Sequence, residues 1–154
     1  MKILQVGDKA PDFSLLGSDG KTYSLKNFKG KKLVLYFYPK DDTSGCTKEA
    51  CSFRDELPTI QKNDAVVVGV SGDSISSHEK FITKYKLNFL LLSDESKTML
   101  QEYGVWKEKS MYGRKYMGVE RTTFIIDGKG KITHIFNKVK VDGHTEEILK
   151  ALEE

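Results

Sequence analysis

Cysteine is scarce in this chain: two residues, Cys46 and Cys51, among 154. Two cysteines cannot staple a secreted scaffold of this size, and in a reducing compartment a close pair points to redox chemistry. Long apolar runs are missing as well, and none could cross a bilayer. The opening residues, Met1 to Asp8, have neither a hydrophobic signal core nor an Arg/Ser-rich transit pattern, so the expected address is cytoplasmic. A charge excess is also lacking. The 25 Lys and Arg against 22 Asp and Glu give a formal net charge of +3, too mild for a nucleic-acid footprint, and no basic stripe interleaves with aromatics. The short basic runs Lys29 to Lys32 and Lys107 to Lys115 read as solvated loops. Gly128-x-Gly130 lacks a dinucleotide fingerprint and reads as a turn. There is no internal repeat, linker or low-complexity segment.

What is present has the balance of a soluble globular protein, with 38% hydrophobic and 31% charged residues. The length fits one domain and one core, residues 1–154. Phe13 to Leu16 and Lys21 to Leu25 read as short strands joined by Gly17-Ser18-Asp19-Gly20. Leu33 to Tyr38 is apolar without alternation, which predicts a strand covered on both faces; Pro39 stops it. From Thr47 the period changes: Ala50, Phe53, Leu57 and Ile60 fall at helical spacing, with Pro58 predicting a kink or an early end. Ala65 to Val70 is a second buried strand, followed by a helix capped by Asp73 or Ser74 that carries Ile75, Phe81, Ile82 and Tyr85 on its apolar face. Phe89 to Leu92 reads as a strand, Lys97 to Tyr103 as a helix, and Trp106 to Gly118 as a loop. Thr122 to Ile126 and Lys131 to Phe136 form a hairpin, and Thr145 to Leu152 a closing helix. This order predicts a three-layer α/β fold with a mixed central sheet, matching a thioredoxin-like core with an N-terminal hairpin. Fold analogy alone does not give function.

The informative window runs from Tyr38 to Asp55. Cys46 sits where a buried strand has ended, a glycine-containing loop has turned and a helix begins. Free backbone N–H groups and the positive end of the helix dipole favour a thiolate there, and the thiolate is the nucleophile. Position alone leaves a small buried hydrophobe as the competing reading. Cys51 narrows the choice. Its C-x4-C spacing differs from the C-x-x-C of a dithiol reductase. Iron–sulfur proteins that open this way need two further cysteines. Zinc would require His78, His134 or His144, which have no ligand-pair spacing and read as surface or structural residues. A nucleophilic cysteine with a resolving partner is the reading left.

Pro39-x-x-x-Thr43-x-x-Cys46 resembles the active-site signature of peroxiredoxins. Thr47-x-Glu49-Ala50-Cys51-x-Phe53-Arg54-Asp55 is similar to the Q-type subfamily, the bacterioferritin comigratory proteins. The likeness extends to Gly7-Asp8-x-Ala10-Pro11-Asp12-Phe13, to Val70-Ser71-x-Asp73 and to Glu120 through Asp127. Ser44 departs from the proline of many members. The resemblance implies that Cys46 is the peroxidatic cysteine, that Thr43 hydrogen-bonds at the thiolate and peroxide, and that Pro39 shields the pocket. It further implies that Arg121 holds the thiolate and polarises the peroxide, a task suited to a planar, permanently charged fork. Glu49 and Arg54 either orient Arg121 and the helix or form surface pairs; Tyr36, Tyr38 and Trp106 read as core or pocket wall. The implied activity is reduction of hydrogen peroxide and organic hydroperoxides through a Cys46 sulfenic acid and a Cys46–Cys51 disulfide, recycled by thioredoxin. No cofactor, metal, nucleic acid or membrane is expected, and a monomer is favoured over a dimer. Two readings compete: a disulfide oxidoreductase on the same fold, which would act without peroxide, and a non-catalytic binding module, which would have no need of Pro39, Thr43, Cys46 and Arg121 together.

Overall fold

The computed structural model describes residues 3–154. The apolar run after Lys31 forms β3 (Lys32–Phe37) and the valine-rich run forms β4 (Ala65–Ser71). They pair in parallel, Val34 opposite Val67, and β4 pairs in parallel with β5 (Leu90–Ser93). On the far side of β3 lies antiparallel β8 (Thr122–Ile126), with antiparallel β9 (Ile132–Phe136) beyond it. The N-terminal hairpin, β1 (Leu15–Gly17) and β2 (Thr22–Tyr23), adds to the free edge of β5. The mixed sheet therefore has seven strands in the order β2-β1-β5-β4-β3-β8-β9.

Alternate residues of the central strands feed two cores. On one face Val34, Tyr36, Val67, Leu91 and Ile125 pack beneath α1 (Ser44–Lys62), α2 (Ile75–Tyr85) and α4 (His144–Leu152). On the other, Leu35, Phe37, Val70 and Phe124 pack with Phe13 and with Met99 and Leu100 of α3 (Thr98–Glu102). Helices on both faces explain why β3, β4 and β8 are buried along nearly their whole length instead of alternating. Gly69 marks a close approach within β4: a Cβ there would lie 2.9 Å from the Tyr36 ring and 2.8 Å from Leu91.

Three local expectations need correction. The first hairpin is shorter than expected, because Ser24 N–H donates to Asn27 Oδ1 (2.7 Å) and Leu25 N–H to Asp12 Oδ1 (3.1 Å). Those bonds turn Leu25–Phe28 into one turn of 3₁₀ helix. Pro58 does not end α1, which runs on to Lys62. Proline lacks the N–H that would bond the carbonyl four residues back. Here that carbonyl, on Arg54, accepts instead from Asn88 Nδ2 at 3.2 Å. Finally, Trp106 to Gly118 is not a loop. It forms a second sheet, β6 (Trp106–Met111) and β7 (Arg114–Val119), around Tyr112 and Gly113, both at positive φ. Two left-handed central residues match the twist of a two-residue hairpin turn. Most of the hairpin faces solvent, so it lacks the apolar run that would have announced it.

Candidate active site

After β3, Tyr38 and Pro39 lead into a loop that ends where α1 begins at Ser44. Thr43 occupies the N-cap position, in extended conformation, and its carbonyl accepts from Thr47 N–H at 2.8 Å. The N–H groups of Ser44, Gly45 and Cys46 thus precede the first intrahelical bond. Cys46 lies among them and is 1% exposed, and both cysteines are free thiols.

Arg121, between β7 and β8, reaches across to this helix start. Its Nη2 donates to Cys46 Sγ at 3.2 Å, and its Nη1 donates to Glu49 Oε1 at 2.6 Å. Gly45 allows the approach, since a Cβ there would sit 3.3 Å from Nη2. Burial alone would lower the guanidinium, but Glu49 and Cys46 outweigh it and hold Arg121 above its ordinary value. Glu49 is buried, and loss of hydration pushes it up to about 7 against the pull of Arg121. Its Oε2 and the neighbouring Tyr36 hydroxyl are buried without hydrogen-bond partners among the described residues. Half-buried Lys109, on β6, is pulled down by burial and by Arg121.

The remaining expected residues are placed less directly. Thr43 Oγ1 donates to the Lys40 carbonyl (2.9 Å), which closes the loop, and makes no hydrogen bond to Cys46. Pro39 is exposed and lines a cleft with Trp106, Lys109, Tyr116 and Met117. Cys51 is half-buried farther along α1. Five residues of regular helix separate two Cα atoms by roughly 8.7 Å and turn their side chains about 140° apart. Arg54 takes no part at Cys46; its Nη1 donates to the Tyr85 carbonyl at 2.6 Å and its Nε to Asp55 at 2.9 Å. Tyr36 and Tyr38 are core residues, stacked with ring centroids 5.4 Å apart.

A buried thiol held by a guanidinium at a helix start is suited to nucleophilic attack on an electrophilic oxygen. The AhpC/TSA family model matches residues 6–135. The chain belongs to the AhpC/TSA family. It is 52% identical to a putative peroxiredoxin Bcp of Coxiella burnetii, over 97% of this chain and 99% of that one. It is 48% identical to peroxiredoxin Bcp of Bacillus subtilis, over 98% and 96% respectively. Among solved structures, peroxiredoxin Q of Xanthomonas campestris superposes with a TM-score of 0.88 at 41% identity, covering 92% of this chain and 89% of that one. A mutant PrxQ of Xylella fastidiosa gives 0.93 at 36% identity, covering 99% and 98%. Within the family the chain is therefore a peroxiredoxin of the Q type, with the thioredoxin-like fold.

One part of this peroxiredoxin's site escaped the sequence reading. Asp41, in the loop before Cys46, is buried and is met by Tyr38, Ser77 and His78. His78 is fully buried, so it is a structural histidine and no surface residue. A signal existed: position 78 falls on the same helical face as Ile75, Phe81 and Tyr85. Asp41, Asp73 and His78 are also close enough to hold a metal ion, but their nearest ligand atoms are already engaged with one another and with Ser71 and Ser77.

Proposed function

We propose the following cycle for this thiol-dependent peroxidase. Cys46 thiolate attacks the terminal oxygen of a hydroperoxide; the O–O bond breaks, the leaving alkoxide or hydroxide takes a proton, and Cys46 becomes a sulfenic acid. The Cys51 thiol then attacks that sulfur, water leaves and a Cys46–Cys51 disulfide forms. A dithiol protein of the thioredoxin kind reduces the disulfide by exchange and is itself oxidised. The observation that carries this reading is the 3.2 Å contact from Arg121 Nη2 to Cys46 Sγ at the start of α1. The same fork can meet the peroxide oxygens as charge develops on them. In this reading Pro39 shields the thiol from water, and Thr43, freed from Lys40, offers its hydroxyl to the peroxide.

Both cysteines belong to one helix of one chain, so the cycle needs no second copy; this supports a monomer. A reducing compartment suits it, because the resting thiols must be regenerated. The bacterioferritin comigratory protein of Xanthomonas campestris, a structural relative at 40% identity, has alkyl peroxide reduction activity. Accordingly we include organic hydroperoxides beside hydrogen peroxide. Steady-state consumption of both, with and without thioredoxin and its reductase, tests the reading. The expected result is turnover that requires the dithiol donor, with the Cys46–Cys51 disulfide found by mass spectrometry. Reduction of protein disulfides without peroxide consumption would point to an oxidoreductase instead.

A further inference from the structure

The loop that delivers Cys46 is bound to α2 by side chains that the cycle above does not use. Asp41 Oδ1 accepts from the Tyr38 hydroxyl at 2.5 Å; Asp41 Oδ2 accepts from Ser77 Oγ at 2.8 Å and lies 2.7 Å from His78 Nδ1. The other ring nitrogen, Nε2, lies 2.9 Å from the Leu92 carbonyl. A carbonyl only accepts, so Nε2 carries a hydrogen. The line from Nδ1 to the carboxylate then needs a proton of its own, because two acceptors 2.7 Å apart would otherwise repel. Asp41 N–H also donates to Asp73 Oδ2 at 2.8 Å, and that oxygen accepts from Ser71 Oγ at 2.7 Å. The next residue, Asp42, stands at φ +59°, which non-glycine residues seldom adopt. It is held there by Lys84 Nζ (2.8 Å) and the Tyr85 hydroxyl (2.6 Å), again from α2.

These bonds fix Asp41 and Asp42 just before Thr43, the residue from which α1 starts. A buried network that is fully satisfied specifies one geometry, whereas a half-satisfied one would cost stability. We infer that Asp41 and His78 are a positioning pair: by sharing a buried proton they anchor the catalytic loop to α2 and so set Cys46 against Arg121 for the peroxide step. The inference rests on the cycle proposed above, in which Cys46 is the nucleophile.

The test is single-turnover reaction of Cys46 in the full chain with hydrogen peroxide and, separately, with iodoacetamide, which needs a thiolate but no aligned O–O bond. Asp41→Ala and His78→Ala are expected to slow the peroxide step about 10- to 100-fold, the scale of a misplaced reacting group. Alkylation should change less than about 3-fold, since an unaligned reagent draws little on that geometry. Asp41→Asn should recover most of the lost rate. Its carbonyl can accept from Tyr38, and its amide can donate to a neutral His78 Nδ1 and to Ser77, which replaces the shared proton. Wild-type peroxide rates in both alanine variants would overturn the inference, as would equal slowing with both reagents, or Asp41→Asn as slow as Asp41→Ala. If Asp41→Ala does not fold, His78→Ala against Asp41→Asn makes the same comparison. Failure of the underlying cycle is distinguishable, because wild-type Cys46 would then alkylate but not react with peroxide.

Discussion

The two halves of α1 are built for opposite ends. From Phe53 to Lys62 the helix is set in the core: Phe53 stacks on Tyr36 with centroids 4.7 Å apart, and Leu57 and Ile60 are buried. Arg54 and Asn88 tie this half to α2 and the segment after it. From Ser44 to Ser52 the helix contains Gly45, Thr47 and Ser52, all weaker helix formers than alanine. Its outer ties are an exposed Lys48–Asp142 pair and a Ser52–Thr145 hydrogen bond. An exposed ion pair adds little stability. Cys46 and Cys51 both lie in this weaker half, and a disulfide needs Cα atoms within about 7 Å. A regular helix does not bring them that close, so the disulfide closure proposed above would have to unwind the half that is easier to unwind. On that proposal one helix combines a rigid anchor with a segment that opens.

The largest contrast is chemical. Cys46→Ser should abolish peroxidase turnover, while Cys51→Ser should react once with peroxide and stall before recycling; rapid-quench mass spectrometry separates the two. Should Cys46→Ser keep full activity, the assignment of roles is reversed. Next in size, Arg121→Ala should slow the peroxide step by on the order of 100-fold, and Arg121→Lys should rescue poorly for want of a planar fork. Near wild-type single-turnover rates in both would remove Arg121 from the chemistry.

Hydrogen exchange addresses the two halves directly. On oxidation, amides from Thr47 to Phe53 should lose protection while those from Leu57 to Lys62 keep it. Equal protection in both redox states, with the disulfide confirmed, would refute a helix divided in this way. A smaller effect concerns Glu49, whose folded value of about 7 lies above its ordinary 4.5. A raised carboxyl stabilises the fold while protonated. Its contribution is complete below about 4.5 and is lost as pH rises through about 7. Wild-type protein should therefore lose on the order of a few kcal/mol relative to Glu49→Gln across that window, which chemical denaturation at about pH 4.5 and about pH 8 would register. No pH dependence in the difference would mean that Glu49 is ionised throughout. The smallest effect is in the anchored half: Asn88→Ala leaves the Arg54 carbonyl without its donor beside Pro58 and should cost about 1 kcal/mol.

Much of this was legible in the residues. The alternating elements foretold the layered sheet, and the motifs around Cys46 pointed to the family, because strand periodicity, helix starts and a short-spaced cysteine pair are local features. The β6–β7 hairpin was not legible, since its exposed lysines and tyrosines have no core to alternate against. Nor did Pro58 announce that Asn88 would cap the carbonyl it orphans. Thr43 lies where the signature puts it, yet its hydroxyl closes the loop at Lys40.

The order of elements and the family thus reside in the sequence alone. Which polar groups meet was settled by tertiary folding. Arg121 meets Cys46 from 75 positions away, and His78 meets Asp41 from 37. Such pairs depend on how strands cross in the sheet and how helices dock on it. Their energetics depend on burial, which lifts Glu49 toward neutrality and leaves its second oxygen without a partner among the described residues.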